Sequence, residues 1–196
     1  MKTRLAAIFL LLPGAAFAHH FMESELPRSA VQGFLSGLAH PVIGLDHAAF
    51  IIAAGFLLAL CRKGSWGLGA LVAGSLAGAA LHLAGVGLPG GEMAVALSVM
   101  LVGALVAARR ALPPGALAVG LALAGVLHGH AYAESIFGAE PWPLGAYLAG
   151  FTVIQFALAA AALVLHRWLL RKGAWRHAAA LVGGMAGAVG LFFLVT

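Results

Sequence analysis

Apolar segments of bilayer length, separated by short turn-forming or charged stretches, make up most of this chain. They lie at roughly 42–61, 65–84, 92–108, 114–133, 144–168 and 176–196. A helix needs about 20 mostly apolar residues to cross the hydrocarbon core of a bilayer. The pattern therefore predicts an all-α membrane protein, built as a bundle of six transmembrane helices.

A shorter apolar segment precedes these six and has the layout of a secretory signal peptide. A basic start is followed by an apolar core at 5–12 and by an A-x-A cleavage site that ends at Ala18. This core is too short for a spanning helix. We predict a cleaved signal peptide at 1–18 and a single six-helix transmembrane domain at 19–196. The alternative is an uncleaved anchor.

The charged residues predict the orientation of the helices. Basic residues concentrate at the first, third and fifth connections: Arg62, Lys63, Arg109, Arg110, Arg167, Arg171, Lys172 and Arg176. Ends of this kind stay in the cytoplasm. The opposite ends carry the acids Glu23, Glu25, Glu92, Glu134 and Glu140. We predict a multi-pass protein of the bacterial inner membrane with both mature termini periplasmic, and with His166 and His177 at the cytoplasmic interface.

Composition supports a membrane protein and argues against a nucleic-acid-binding one. Hydrophobic residues make up 63% of the chain and charged residues only 9%. The formal net charge of +5 comes from short clusters between apolar segments, which provide no basic face for phosphates. Glycines four residues apart, at Gly74 and Gly78 and at Gly183 and Gly187, predict close helix contacts. We expect these contacts within one molecule rather than between two copies.

Several ionisable residues interrupt the apolar segments, and the predicted topology brings them to the outer half of the protein. An Asp at the centre of a membrane helix costs about 2.5–3.5 kcal/mol on insertion scales, so such residues usually bind something. The candidate ligands are His40, Asp46, His47, His128, His130 and Glu134, with His82, Glu92, His19 and His20 as possible additions.

The ligand types point to a divalent metal. Imidazole nitrogen and carboxylate oxygen together suit nickel, cobalt, zinc or copper. The single cysteine, Cys61, lies at the far end of the first span, so no thiolate accompanies the histidines. This weakens the case for a structural zinc or a Cu(I) site.

Local sequence gives further expectations about the site. Proline disfavours a helical residue before it, so Pro41 is expected to place His40 on a bend. His128 and His130 are two residues apart and point in different directions on a regular helix. Gly129, between them, is expected to permit local unwinding.

Two motifs resemble those of a known family of membrane proteins. His40-Pro41-x-x-Gly44-x-Asp46-His47 resembles the H-P-x-x-G-x-D-H motif of the HupE/UreJ family. The stretch from Leu127 to Glu134 resembles its F-H-G-x-A-x-G-x-E motif, with Leu127 for Phe and Ala133 for Gly. Leu88-Pro89-Gly90-x-Glu92, the run Ala96-Leu97-Ser98 and the signal-plus-six-span layout extend the resemblance over the mature chain.

The resemblance implies a nickel/cobalt permease associated with hydrogenase and urease accessory systems. It implies a secondary transporter of Ni²⁺ or Co²⁺, with Zn²⁺ as a further candidate, that has no catalytic residue and no prosthetic group. The implied partners are membrane lipid, the divalent metal ion, and a metallochaperone or the urease/hydrogenase maturation system. No nucleic-acid partner is expected, and oligomeric state does not follow from it.

Two other functions fit the same residues. Three His and an Asp near one bilayer face also suit a zinc-dependent intramembrane hydrolase of the ceramidase-like type, in which the metal activates water. A periplasmic metal sensor, or a donor that passes metal to a partner protein, is the third possibility.

Overall fold

The computed structural model describes residues 26–61 and 64–196, and within these ranges all regular structure is helical. The helices are α1 (Ala30–Ile43), α2 (Leu45–Leu60), α3 (Ser65–Leu83), α4 (Gly91–Ala107), α5 (Pro114–Glu134), α6 (Pro141–Lys172) and α7 (Trp175–Val195). The predicted signal peptide lies outside the described residues. The all-α prediction is confirmed for the part of the chain that is described.

Length and composition qualify four of these helices as membrane spans: α3, α5, α6 and α7. A fifth span is obtained if α1 and α2, which form a broken pair bent by 77°, are counted together. The helix at the position of the predicted third span, α4, has 17 residues and is shorter than the others. The apolar pattern thus predicted the positions of the helices well. Four of them, or five with the bent pair, are long and apolar enough to span a membrane.

The first predicted span is wrong in its boundaries, because the chain breaks at Gly44. Residues 30–43 form a separate helix, α1, in which Pro41 lies inside the last turn. The amide of Gly44 donates to His40 O at 3.1 Å and closes α1, while Gly44 O accepts from Ala48 N and opens α2. His40 is therefore helical, and the bend lies three residues after Pro41.

The central helix of the bundle is α2. Eight of its residues from 50 to 58 are buried, including Phe50 and Phe56, and it packs against α4, α6 and α7. We name the end of the bundle where α2, α4 and α6 begin the histidine end. The opposite end, which carries Arg109, Arg110 and Arg171, we name the basic end.

Close backbone contact between α3 and α5 holds the histidine end together. A Cβ atom at Gly74 would overlap the carbonyl of Ala122, and one at Gly129 would overlap the carbonyl of Ser75. Small residues allow this approach of two helices within a membrane. The expectation that Gly129 allows unwinding is wrong, because α5 is helical through Glu134. This glycine serves close packing.

Three of the four paired glycines seen in the sequence pack inside the molecule, as predicted, whereas a Cβ atom at Gly187 would meet nothing within 4 Å. Gly78 lies against the backbone of α5 at Val126, and Gly183 lies against α4 at Gly103. The surface of the bundle remains apolar, with Val119, Leu123, Val153, Leu181 and Met185 exposed. Such a surface suits contact with lipid chains.

We expect Gly74→Ala to destabilise the protein because the added methyl group meets the carbonyl of Ala122. Overpacking of this kind costs about 1–3 kcal/mol. The measurement is the melting temperature of the purified protein in detergent. Gly69→Ala is the matched control, since a Cβ atom there meets open space on the same helix. Equal melting temperatures for the two variants would contradict the close contact.

Candidate metal site

A pair of buried histidines occupies the histidine end between α2 and α5. His47 lies in the first turn of α2, and His128 lies one and a half turns before the end of α5. Their exposed fractions are 6% and 0%. The two Nδ1 atoms are 2.8 Å apart. One of them therefore carries a hydrogen and donates a hydrogen bond to the other.

Ser98 of α4 decides which nitrogen has the proton. Its hydroxyl donates to Val95 O at 2.7 Å and lies 2.9 Å from Nε2 of His128. A hydroxyl has one hydrogen, so Ser98 accepts from the Nε2–H of His128. The Nδ1 atom of His128 therefore presents its lone pair to His47, whose Nδ1–H donates.

This arrangement is typical of histidines that bind a metal. Such histidines donate the second ring nitrogen to an oxygen, which fixes the ring and its tautomer. Two nitrogens that bind one metal at about 2.1 Å and at right angles lie about 3.0 Å apart, close to the observed spacing. A cation can replace the shared proton if that proton moves to the other nitrogen of His47.

Asp46 supplies a carboxylate beside this pair. Its Oδ1 accepts from the amide of His47 at 2.8 Å, and its Oδ2 lies 3.9 Å from Nδ1 of His47. Asp46 lies in the first turn of α2, one residue before His47. We name Asp46, His47 and His128 the buried group.

A second group lies closer to the surface at the ends of α3 and α5. His82, His130 and Glu134 each offer a ligand atom, and these atoms lie within 4.8 Å of one another. No other set of three His, Cys, Asp or Glu residues in the described part of the chain is as compact. We name these residues the surface group.

The Nδ1 atom of His130 is the ligand atom directed at Glu134. Nε2 of His130 lies 2.8 Å from Val86 O, which can only accept, so this nitrogen carries the proton. Nδ1 lies 3.9 Å from Oε1 of Glu134, whose side chain is 51% exposed. The surface group is thus accessible to a hydrated cation, whereas His128 is not.

His40 lies above the buried group among aromatic rings. Its Nδ1 is 3.1 Å from the hydroxyl of Ser135, and its ring centroid lies 5.8 Å from that of His47 and 5.5 Å from that of Tyr132. The Tyr132 ring contacts His47 at 4.6 Å, and Tyr147 donates to Tyr132 O at 2.7 Å. Tyr132 thus packs against both buried histidines, and Tyr147 is hydrogen-bonded to its backbone.

The sequence placed the candidate ligands in one region, and the structure divides them between two groups. As predicted, His128 and His130 point in different directions and belong to different groups. Glu92 is exposed in the first turn of α4 and belongs to neither group. His19 and His20 lie outside the described residues. That the grouped residues bind metal stays a prediction.

Sequence reasoning missed the polar partners. In the sequence, Ser98 stands out only within the run Ala96-Leu97-Ser98, and Tyr132 only by its position inside the second motif. Gln155 and Ser75 form a buried hydrogen bond of 2.9 Å inside the bundle. A glutamine within an apolar segment was the available signal for this pair.

The expectation for His166 is wrong. It is fully buried in α6 and its Nδ1 lies 2.7 Å from Phe56 O, so it is a bundle residue and not an interfacial one. His177 is exposed on α7, as the prediction for an interfacial residue requires.

Removing the hydroxyl of Ser98 should weaken metal binding at the buried group. In Ser98→Ala the buried Nε2–H of His128 loses its acceptor, and loss of such a partner weakens metal affinity about 10–100-fold. Co²⁺ titration by calorimetry should show two binding events in the unaltered protein, of which only one weakens in the variant. Thr152→Ala is the control, because that hydroxyl donates within α6 to Leu148 O. Two unchanged events in Ser98→Ala would contradict the assigned role.

Known proteins resemble this chain along most of its length. The family model described as HupE / UreJ protein matches residues 7–193. Protein HupE of Rhizobium leguminosarum bv. viciae is 35% identical over 134 residues, which cover 67% of this chain and 65% of that protein. The matched part is thus slightly less than two thirds of the relative's length. No solved structure matches the chain.

The second family motif matches this chain except that its acidic residue stands one position earlier. The ninth position of F-H-G-x-A-x-G-x-E falls on Ser135, and Glu134 stands one residue earlier. Ser135 contacts His40, whereas Glu134 faces His130. With the first motif intact and the family model matched over nearly the whole sequence, the chain belongs to the HupE/UreJ family.

Proposed function

We propose that this protein is a secondary transporter that moves Ni²⁺ or Co²⁺ across the bacterial inner membrane. The observation that carries the proposal is the succession of two ligand groups along α5. Glu134, at the helix end, is exposed, His130 one turn deeper is nearly buried, and His128 is fully buried. A cation that enters at the helix end meets progressively more buried ligands.

The surface group is suited to capture a hydrated metal ion. An accessible carboxylate and two imidazoles offer three ligands to an ion that still keeps water in its other positions. The buried group then takes the ion with most of its water removed, through His47, His128 and Asp46. His40 and Tyr132 pack against His47, and Tyr147 packs against His40.

The ligand chemistry favours first-row divalent metals over Mg²⁺ or Ca²⁺, which prefer oxygen ligands. Histidine binds metal only in its neutral form, so protonation releases the ion. A transport site must hold the ion weakly enough to let it leave. Two or three protein ligands in each group fit this requirement better than a complete protein cage. The metal is cargo, and no enzymatic reaction is assigned to these residues.

The six-span architecture and its orientation belong to the same proposal. Counting the bent α1–α2 pair as one span and including α4 gives six. Basic residues at one end of the bundle support a cytoplasmic location for that end, because loops rich in Lys and Arg stay in the cytoplasm. The histidine end is then periplasmic, as are both termini of the mature chain once residues 1–18 are removed. A hydrogenase or urease maturation system, or a metallochaperone, would receive the metal inside.

The transport assay is uptake of radioactive Ni²⁺ into proteoliposomes that contain the purified protein. We expect uptake by the unaltered protein, competition by Co²⁺, and loss of uptake in His47→Ala because the buried group loses a ligand. His177→Ala, which changes an exposed histidine on α7, should transport normally. Competition by Zn²⁺ in the same assay compares the affinity of the site for Zn²⁺ with its affinity for Ni²⁺ and Co²⁺.

Two results would reject transport by this site. One is equal uptake by His47→Ala and the unaltered protein. The other is no uptake at all by a protein that retains tightly bound zinc and hydrolyses lipid amides. The second result would favour the intramembrane hydrolase.

The orientation is tested with single cysteines and a membrane-impermeant maleimide on intact spheroplasts. Gly87→Cys at the histidine end should be labelled, and Ala111→Cys at the basic end should be labelled only after lysis, since both positions are exposed. The native Cys61 is buried, so the unaltered protein is the background control. The reverse labelling pattern would overturn the proposed topology.

A further inference from the structure

The buried face of α6 carries two polar side chains that no proposed metal group includes. Gln155 and His166 are both 0% exposed. They are 11 residues apart, about three helical turns, so they lie on the same face at a separation of about 16 Å. Between them the face carries Ala159 and Ala162, both buried and small.

The unpaired atom of Gln155 is a hydrogen-bond acceptor. Ser75 donates its hydroxyl to Leu71 O at 3.0 Å, so its oxygen accepts from the Nε2 amide of Gln155 at 2.9 Å. Oε1 of Gln155 is buried, and no described residue donates to it. A cation or a water molecule is the ligand that this oxygen lacks.

The unpaired atom of His166 is an acceptor as well. Its Nδ1 lies 2.7 Å from Phe56 O, and a carbonyl can only accept, so Nδ1 carries the proton of the neutral ring. Nε2 then presents a lone pair that is buried and has no hydrogen-bond donor among the described residues. Fixing one ring nitrogen on a carbonyl while the other stays bare is how a protein orients a metal-binding histidine.

The surroundings of His166 repeat those of His128. The ring of His128 is stacked on Phe50, with centroids 4.0 Å apart and an interplanar angle of 16°. The ring of His166 is stacked on Phe56, with centroids 4.4 Å apart and an angle of 19°. The two phenylalanines lie six residues apart on α2, or about 9 Å along its axis. One helix thus supports two buried histidines at different depths of the bundle.

Buried acceptors without donors are unfavourable and uncommon in folded proteins. An ionisable side chain such as His166 inside a membrane protein is a functional-site candidate, and a substrate or ion pathway is one such function. Both unpaired atoms here are lone-pair acceptors, which suits a cation and not an anion. The Gln155–Ser75 pair also lies next to the buried group, because Ser75 packs against Gly129, the neighbour of His128.

We propose that Oε1 of Gln155 and Nε2 of His166 form a relay that carries the metal ion from the buried group toward the basic end. This inference rests on the proposed transport function. The ion passes from His128 to the oxygen of Gln155 and then to His166. Because Ala159 and Ala162 pack directly against α2 at Gly55, this last step requires α2 and α6 to separate there. From there it leaves between α2, α6 and α7, where Trp175 lies 6.3 Å from the His166 ring.

The test is His166→Asn, measured in Ni²⁺ uptake by proteoliposomes and in Ni²⁺ binding by calorimetry in detergent. Asparagine can still donate to Phe56 O in place of Nδ1, but it has no atom in place of Nε2. Loss of a metal-contacting nitrogen should slow uptake about 10–100-fold. Binding at the histidine end and the melting temperature should stay unchanged, because neither metal group is touched.

Gln155→Met provides a second test, since it keeps the length of the side chain and removes the acceptor oxygen. It should also slow uptake and leave binding at the histidine end intact. His177→Asn, the same change at an exposed histidine of α7, is the matched control. His47→Ala should lose both uptake and binding at the buried group, which separates the relay from the initial site.

Wild-type uptake rates in His166→Asn and Gln155→Met would overturn the relay and leave the transport function intact. Loss of binding at the histidine end in both variants would also overturn it, because their role would then be structural. If the unaltered protein moves no Ni²⁺, the proposed function itself fails. If His166→Asn lowers the melting temperature, uptake by Gln155→Met is the result that tests the relay.

Discussion

The contact between the backbones of α3 and α5 is the constraint on which the histidine end depends. Gly78 lies against the carbonyl of Val126 and the amide of His130, and Gly129 lies against Ser75. No larger residue fits at either position without moving a helix. This contact sets the distance between His82 and His130, and it brings the Gln155–Ser75 pair beside the segment that carries His128. The glycines therefore position the polar groups, although they bind nothing themselves.

Hydrogen bonding inside an apolar bundle fixes the tautomer of three buried histidines. Water is scarce there, so every ring nitrogen needs a protein partner or a ligand. The Ser98 hydroxyl and the carbonyls of Val86 and Phe56 each accept a hydrogen bond from one ring N–H, in His128, His130 and His166, respectively. Each contact leaves the opposite nitrogen with its lone pair. Three partners on three different segments thus leave one unprotonated nitrogen on each of three imidazoles, as the proposed entry site and the proposed relay require.

The sequence predicted the helices well because apolar length is a local property. The helices α3 to α7 lie where the pattern placed them, within a few residues except for the start and end of α6. The apolar pattern did not predict α1, whose 14 residues are shorter than a span and contain a proline. Helix formation there depends on packing: Gly33 and Gly37 lie directly against the backbone of α6 at Pro143 and Tyr147. Such a contact between distant segments leaves no local pattern.

By itself, the sequence determined a helical protein with apolar segments of membrane-span length, a set of candidate metal ligands, and the family. These follow from apolar length, from the chemistry of each side chain, and from motifs that are contiguous in the chain. Only the tertiary structure decided which ligands share a site. His128 and His130 are two residues apart yet face different partners, and His166 lies inside the bundle despite its basic neighbours. The reason is physical: the direction of a side chain follows from its helix, but its partner belongs to another helix whose position is set by packing.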